Sequence, residues 1–150
     1  MNFVLLAAFT LCEAWMVAGI TCFYSKEEVI LAGAATALTT LALTIYAVRT
    51  KTNIEIFGAM LWVLYLAMLP LWIIGLVIHT KALHILYCAI GLVFYSIYLI
   101  VDTMMIVKDK KSLGGYGIDH EDYIVAALML YLDIVMIFVY ILRLLGSARN

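Results

Sequence analysis

Three acidic residues lie inside long apolar stretches of this sequence: Glu13, Asp102 and Asp133. No Lys or Arg lies deep within any of these stretches to neutralise them. An ionised carboxyl group at the middle of a bilayer costs about 2.5–3.5 kcal/mol or more on insertion scales. Each acid must therefore hold a proton, bind a cation or face water. Such residues are candidates for a proton-sensitive or cation-binding site.

The rest of the sequence is typical of an integral membrane protein. Of its 150 residues 67% are hydrophobic and 13% are charged, whereas about a quarter of the residues in a soluble domain are charged. The nine Lys and Arg residues nearly balance the ten Asp and Glu residues. The sequence therefore predicts a lipid bilayer as the surrounding medium and no nucleic-acid partner.

Five apolar stretches are long enough to cross a membrane, which takes about 20 residues each. They cover residues 2–24, 29–48, 56–78, 82–107 and 123–145, and a basic, glycine-containing loop at 108–122 joins the last two. The pattern predicts an all-α, polytopic membrane helix bundle of about five transmembrane helices, which form a single domain over residues 1–150. Tyr and Trp near the span ends are typical of interfacial belts.

The basic residues of the loops indicate the orientation. Arg49 and Lys51 lie in one loop, and Lys108, Lys110 and Lys111 lie in another on the same side. Because cytoplasmic loops carry an excess of Lys and Arg, we expect these loops and the N-terminus to face the cytosol.

Asp102 and Asp133 are the acids that could form a pair. Both spans adjoin the same loop, and at 1.5 Å per residue the two acids lie about 8 Å and about 16 Å deep, a gap that stagger and tilt of the helices can close. Two carboxyl groups at one helix seam do not easily both ionise, and they tend to share one proton. The side chains that share the faces of these acids are Gly91, Tyr95 and Tyr98 on the fourth span, and Ala126, Met129, Met136 and Tyr140 on the fifth.

Three interpretations of these acids remain open. The pair could sense pH, and its hard oxygen atoms also suit calcium, so Asp102 and Asp133 are the candidate metal ligands. Alternatively, the acids are protonated and hydrogen-bonded to Tyr and Thr for packing. His79 and His84 are too few to suggest a metal site. The sequence contains no catalytic triad, phosphate loop or zinc-protease motif, so we expect no enzyme activity and no resident cofactor apart from the candidate calcium.

Two segments resemble a known family. GLVFYSIYLIVDTMMI, from Gly91 to Ile106, resembles the sixth helix of the Bax inhibitor family, also called Lifeguard or transmembrane Bax-inhibitor-motif proteins. EDYIVAALMLYLDIVMIFVYILRLLG, from Glu121 to Gly146, resembles the last helix of that family. Upstream, FTLCEAWMVAGITCFY and LTIYAVRTKTN are similar to its third helix and to the loop after its fourth.

The resemblance implies a bundle that leaks calcium from internal stores in a pH-dependent way and restrains cell death. It also implies that Asp102 and Asp133 match the carboxylate pair of the family, and that the protein is in the endoplasmic reticulum or another endomembrane. Two features depart from the pattern. Family members usually have two further helices before the first span here, and Met104, Met129 and Met136 stand where polar residues are usual.

These departures leave two hypotheses for the function. In the first, the protein is a calcium or cation leak in which Glu13 is a third intramembrane acid beside the pair. In the second, it is a structural or accessory subunit without transport activity, and other transmembrane subunits pack where two helices are missing. The mitochondrial inner membrane is the alternative location, since the family has a branch there.

Overall fold

The computed structural model describes residues Asn2–Lys108 and Tyr123–Arg149. Within these ranges the chain forms five α-helices and no strand: α1 (Asn2–Thr21), α2 (Lys26–Arg49), α3 (Ile54–Val77), α4 (Lys81–Val107) and α5 (Tyr123–Arg149). Each helix is long and apolar enough to cross a membrane. The predicted fold class, an all-α membrane helix bundle, is confirmed. Of the predicted basic loop at 108–122, all but Lys108 lies outside the described residues.

Helix ends differ from the predicted spans where polar side chains cap them. The Ser25 hydroxyl accepts a hydrogen bond from the Glu28 backbone N–H, and the Glu28 carboxylate accepts one from the Ser25 N–H at 2.8 Å. This capping box starts α2 at Lys26 instead of residue 29, and the turn before it follows the end of α1 at Thr21. Helix α5 continues to Arg149, whose guanidinium donates to the Ser25 hydroxyl at 2.9 Å.

Helices α2, α4 and α5 form the centre of the bundle. Helix α4 packs against α2, α3 and α5, while α5 packs against α1, α2 and α4. Helices α1 and α3 each pack mainly against a single neighbour, α5 and α4 respectively, and so lie at its edges. Their outward side chains are strongly exposed, as Trp15 of α1 shows at 85%. In a bilayer these faces meet lipid, which is as apolar as they are.

The buried side chains form two hydrophobic clusters. One joins α2, α3 and α4 and comprises Ala47, Ile54, Phe57, Ile97, Ile100 and Met104. The other joins α2, α4 and α5 and comprises Ala32, Leu99, Ile137, Ile141 and Leu142. Leu43 of α2 packs against both clusters. The best-packed part of the molecule is thus the seam between α4 and α5, which is also where two of the three acids lie.

Candidate functional site

The central feature of the α4–α5 seam is a pair of carboxyl groups. Asp102 of α4 and Asp133 of α5 are each only 5% exposed, and their side chains hydrogen-bond to each other. A carboxyl–carboxyl hydrogen bond requires a proton on one of the two groups, because an ionised carboxylate has no O–H to donate. The structure therefore brings together the two acids that the sequence placed on facing helices.

The hydroxyl groups of the two buried threonines bond within their own helices and not to the acids. Thr103 follows Asp102 and is buried, but its hydroxyl donates to the Leu99 carbonyl at 2.6 Å. Thr36 of α2 is also buried and donates to the Ala32 carbonyl at 2.7 Å. Both are satisfied within their own helices. These two threonines therefore give no support to the interpretation that Thr hydroxyls hold the acids for packing.

One oxygen atom of the pair remains open. Asp133 Oδ2 is buried and has no hydrogen-bond partner among the described residues. A buried acceptor without a partner costs about 1–3 kcal/mol. Such an atom is a place where a proton, a water molecule or a cation would be stabilising. A purely structural pair would not need to leave this acceptor atom without a partner.

Glu13 lies on a different seam. Its helix, α1, packs against α5, and its Oε2 atom is buried without a hydrogen-bond partner among the described residues. In the turn that follows α1, the ring of Tyr24 fills the space beside Gly146 of α5. Glu13 thus belongs to a helix that packs mainly against α5, and it takes no part in the Asp102–Asp133 hydrogen bond. Its role as a third acid stays a prediction.

A cluster of tyrosines extends from the pair along the same seam. The Tyr95 ring lies 5.7 Å from the Tyr140 ring, and the Tyr140 ring lies 6.2 Å from the Tyr87 ring. Helical spacing predicts Tyr95 and Tyr140 on the faces of the two acids, whereas Tyr87 was not predicted. The spacing could have identified it, since Tyr87 is one helical turn before Gly91 on the same stripe.

A cavity of about 840 Å³ opens at the end of the bundle where α1 and α5 finish. We call it the outer cavity, because it lies opposite the predicted cytosolic loops. All five helices or their adjoining turns contribute to its wall, with Tyr24, Glu28, Trp72, His79, Lys81, His84, Tyr87, Arg143 and Arg149 among its residues. His79 and His84 both belong to this wall, and the nearest sulfur to His84 is Cys88 Sγ at 3.6 Å.

Comparison with known proteins decides the family. A family model described as "Inhibitor of apoptosis-promoting Bax1" matches residues 1–150. The chain belongs to the Bax inhibitor family. Human Protein lifeguard 3 is 31% identical to it over 153 residues, which cover 99% of this chain and 48% of the relative. The Golgi anti-apoptotic protein of Vaccinia virus (strain Lister) is 30% identical over 154 residues, which cover 100% of this chain and 60% of the relative.

Membership of the Bax inhibitor family confirms the resemblance noted in the sequence of the last two spans. The chain spans about half the length of the curated relatives it matches. It is a Bax inhibitor family membrane protein whose five described helices each have the length and composition of a membrane span.

The carboxyl pair of this Bax inhibitor family chain does not fit a resident calcium ion. Calcium takes about 6–8 oxygen ligands, whereas the pair supplies two carboxyl groups, and the nearby Met104 is packed in the hydrophobic cluster of α2, α3 and α4. Across Asn2–Lys108 and Tyr123–Arg149, no group of three His, Cys, Asp or Glu side chains is arranged to hold a metal ion. The donor set is suited to exchanging a proton.

Proposed function

We propose that this protein is a pH-sensitive calcium or cation leak that modulates cell death, and that the Asp102–Asp133 pair is its proton-sensitive element. The observation that carries the proposal is the hydrogen bond between the two carboxyl groups in the core of the α4–α5 seam. Calcium is the cargo in this proposal and is not a structural ligand.

The mechanism follows from the charge of the pair. With one proton between them, the two groups carry one negative charge and hold α4 and α5 together. Loss of that proton leaves two negative charges in an apolar seam, where like charges repel strongly because the local dielectric constant is low. The repulsion separates the helices and attracts a cation to the exposed oxygen atoms. Protonation therefore closes the seam, and deprotonation opens it to a passing cation.

Calcium flux from liposomes containing the purified protein tests this mechanism. We expect flux that increases as pH rises through the titration of the pair, and an Asp133→Asn variant whose flux no longer depends on pH. Glu27→Gln is the matched control, since it also neutralises one acid but lies on the exposed start of α2. Wild-type flux that ignores pH, or an Asp133→Asn variant that keeps the wild-type pH profile, would contradict the mechanism.

The proposed cell-death role and location rest on the family. One relative is named Golgi anti-apoptotic protein, which supports placing this protein in the endoplasmic reticulum or another endomembrane. The mitochondrial inner membrane is the alternative. Imaging of a tagged chain against markers of each compartment separates the two, and survival of expressing cells after a death stimulus tests the protective role. If cells expressing the wild type and cells expressing Asp133→Asn survive equally well, the protection does not depend on the carboxyl pair.

The second candidate function is that of an accessory subunit of a larger membrane complex. The observation that favours it is the sparse packing of α1, whose membrane-spanning stretch has no buried residue within the described structure. Trp15 of this helix and Phe23 in the turn after it are 85% and 89% exposed, and such aromatic side chains are typical anchors at protein interfaces. Native mass measurement after gentle extraction decides between the candidates, because a lone monomer with full flux excludes the accessory role.

A further inference from the structure

Three aromatic side chains bridge the distance between the outer cavity and the carboxyl pair. Tyr87 lines the cavity, and on the same helix Asp102 lies about 22 Å further along at 1.5 Å per residue. Tyr95 stands between them on α4, and Tyr140 reaches across from α5. Phenol rings therefore follow one another along the seam from the cavity wall to the level of Tyr95.

We propose that protons pass between the outer cavity and the Asp102–Asp133 pair through the hydroxyl groups of Tyr87, Tyr140 and Tyr95, in that order. The proposal rests on the pH sensitivity proposed above, and it adds the side of the membrane whose pH the pair detects. The pair then reports the pH of the compartment that the outer cavity faces, although Asp102 lies nearer to the opposite end of α4.

The contacts along this route support each step. The Tyr87 and Tyr140 rings are neighbours across the seam, with centres 6.2 Å apart, and Tyr140 is only 4% exposed. The rings of Tyr140 and Tyr95 are 5.7 Å apart and tilted by 31°, and Tyr95 precedes Asp102 on α4 by about 10 Å at 1.5 Å per residue. Bridging water molecules complete the route in this proposal, since a water-mediated hydrogen bond is nearly as favourable as a direct one.

The transfer balances as a shift of O–H bonds. Asp133 as carboxylate gains the proton of Tyr95, Tyr95 gains that of Tyr140, and Tyr140 gains that of Tyr87. Tyr87 then takes a proton from hydronium in the outer cavity, which leaves water. The carboxylate ends as a carboxylic acid, and each tyrosine ends as the neutral phenol that it was at the start.

The charged groups around the route favour protons over metal cations. The Arg143 guanidinium lies 6.0 Å from the centre of the Tyr140 ring, so a metal ion entering along the ring would meet a fixed positive charge. The Tyr140 ring also fills the space beside Gly91, which leaves no room there for a hydrated ion. A proton that hops between hydroxyl oxygens does not need that space, and with one positive charge it is repelled less by the guanidinium than a divalent cation is.

Other titratable groups face the ends of the route and define what the test must separate. At the pair these are the two aspartates themselves and, on the α1–α5 seam, Glu13. At the outer cavity they are Tyr24 of α1, Glu28 of α2, His79 after α3, Lys81 and His84 of α4, and Arg143 and Arg149 of α5. A response that came from these cavity groups would not involve a change at the buried carboxyl pair, so the readout has to be the carboxyl groups.

The test is the rate at which the pair takes up a proton after a pH jump on one side of the membrane. The protein is reconstituted in one orientation, and protonated carboxyl groups are followed by infrared difference spectroscopy, with the band of the pair assigned by its loss in Asp133→Asn. We expect Tyr140→Phe, which removes only the hydroxyl, to slow uptake from the outer side on the order of 100-fold, as loss of a positioned proton-transfer group does. Uptake from the other side should keep its wild-type rate.

Two further variants keep the result interpretable. Tyr87→Phe should slow uptake from the outer side in the same way, and it decides the matter if Tyr140→Phe fails to fold, because Tyr87 is only half-buried. Tyr65→Phe is the control, since Tyr65 packs edge-on against Trp62 with ring centres 6.1 Å apart and belongs to α3, which contributes no tyrosine to the route. Wild-type uptake from the outer side in both tyrosine variants, or uptake only from the opposite side in the wild type, would overturn the proposal.

Calcium flux measured on the same vesicles distinguishes this proposal from the proposed leak. Outer-side proton uptake that depends on the tyrosines, without any calcium flux, would contradict the proposed leak and support the proton route. Calcium flux with a pH response that both tyrosine variants leave unchanged would remove the route and leave the leak standing.

Discussion

The ring of Tyr140 lies directly against the backbone of Gly91, in the space that a β-carbon at residue 91 would occupy. Both residues are buried, and they belong to the two helices that share the most contact. The missing side chain of Gly91 lets Tyr140 enter the seam between Tyr87 and Tyr95 of the facing helix. Gly91 is therefore the residue that makes room for the aromatic cluster leading to the carboxyl pair.

Substitution of Gly91 by Ala should destabilise the protein. The added methyl group would collide with a ring that is 4% exposed and has little room to move, and such overpacking costs about 1–3 kcal/mol. The free energy of unfolding in detergent micelles measures the effect. Gly33→Ala is the matched control, because a β-carbon there meets nothing within 4 Å, and replacing a mid-helix Gly by Ala gains about 0.5–1 kcal/mol. Equal stability of the two variants would show that the seam can widen at no cost.

The sequence predicted the helices and the acids well for a physical reason. A membrane span needs about 20 apolar residues, so five such runs fix the number of helices, and an acid within a run is conspicuous. Depth was less reliable. Counting from the loop placed Asp102 and Asp133 about 8 Å apart in depth, yet they hydrogen-bond, because the count assumes that both helices enter the membrane at one level. Three-dimensional stagger is not encoded in a local pattern.

The tyrosine cluster and the outer cavity were harder to predict. A tyrosine near a span end is typical of the interfacial belt. Its position therefore did not predict that Tyr87 would lie in the seam, although it shares the stripe of Gly91 and Tyr95. The cavity exists because the ends of five helices diverge, and no single segment carries a signal for that. Contacts such as Arg149 with Ser25 join residues far apart in the chain, and spacing alone does not reveal them.

A double-mutant cycle should show that Asp102 and Asp133 act as one unit. Asp102→Ala or Asp133→Ala each leaves a buried carboxyl group without its partner, which costs about 1–3 kcal/mol, whereas the double variant removes both groups. The double variant should therefore lose less free energy of unfolding than the sum of the single losses, by about 0.5–3 kcal/mol.

The control cycle combines Asp133→Ala with Thr10→Ala, since the Thr10 hydroxyl bonds only to Leu6 of its own helix at 2.8 Å. These two changes should add within about 0.3–0.5 kcal/mol. Strict additivity of the two aspartate variants would mean that the hydrogen bond between them contributes nothing in the membrane-like environment.

Ser25 should matter more to stability than a turn residue normally does. It caps α2, and its hydroxyl also receives the guanidinium of Arg149 at 2.9 Å, so it joins the α1–α2 turn to the end of α5. Ser25→Ala should lower the free energy of unfolding by about 1 kcal/mol or more, the usual effect of losing an N-cap. Thr21→Ala is the comparison, since that hydroxyl bonds only to the Ala18 carbonyl. Thermal unfolding in detergent at matched pH should show a larger shift for Ser25→Ala.

Glu13 offers a test of whether a half-buried intramembrane acid serves structure or function. Its Oε2 atom has no hydrogen-bond partner within Asn2–Lys108 and Tyr123–Arg149, so as a packing residue it is unfavourable, and Glu13→Leu should raise the free energy of unfolding by about 1–3 kcal/mol. Asp133→Leu should have the opposite effect, because it leaves Asp102 unpaired in the seam.

Calcium flux of the Glu13→Leu protein supplies the second half of the test. A stabilised variant with reduced flux makes Glu13 a working third acid, since natural selection keeps a destabilising group where activity needs it. A stabilised variant with wild-type flux would limit the proton-sensitive element to the aspartate pair. A destabilised variant would mean that Glu13 has a stabilising partner outside α5.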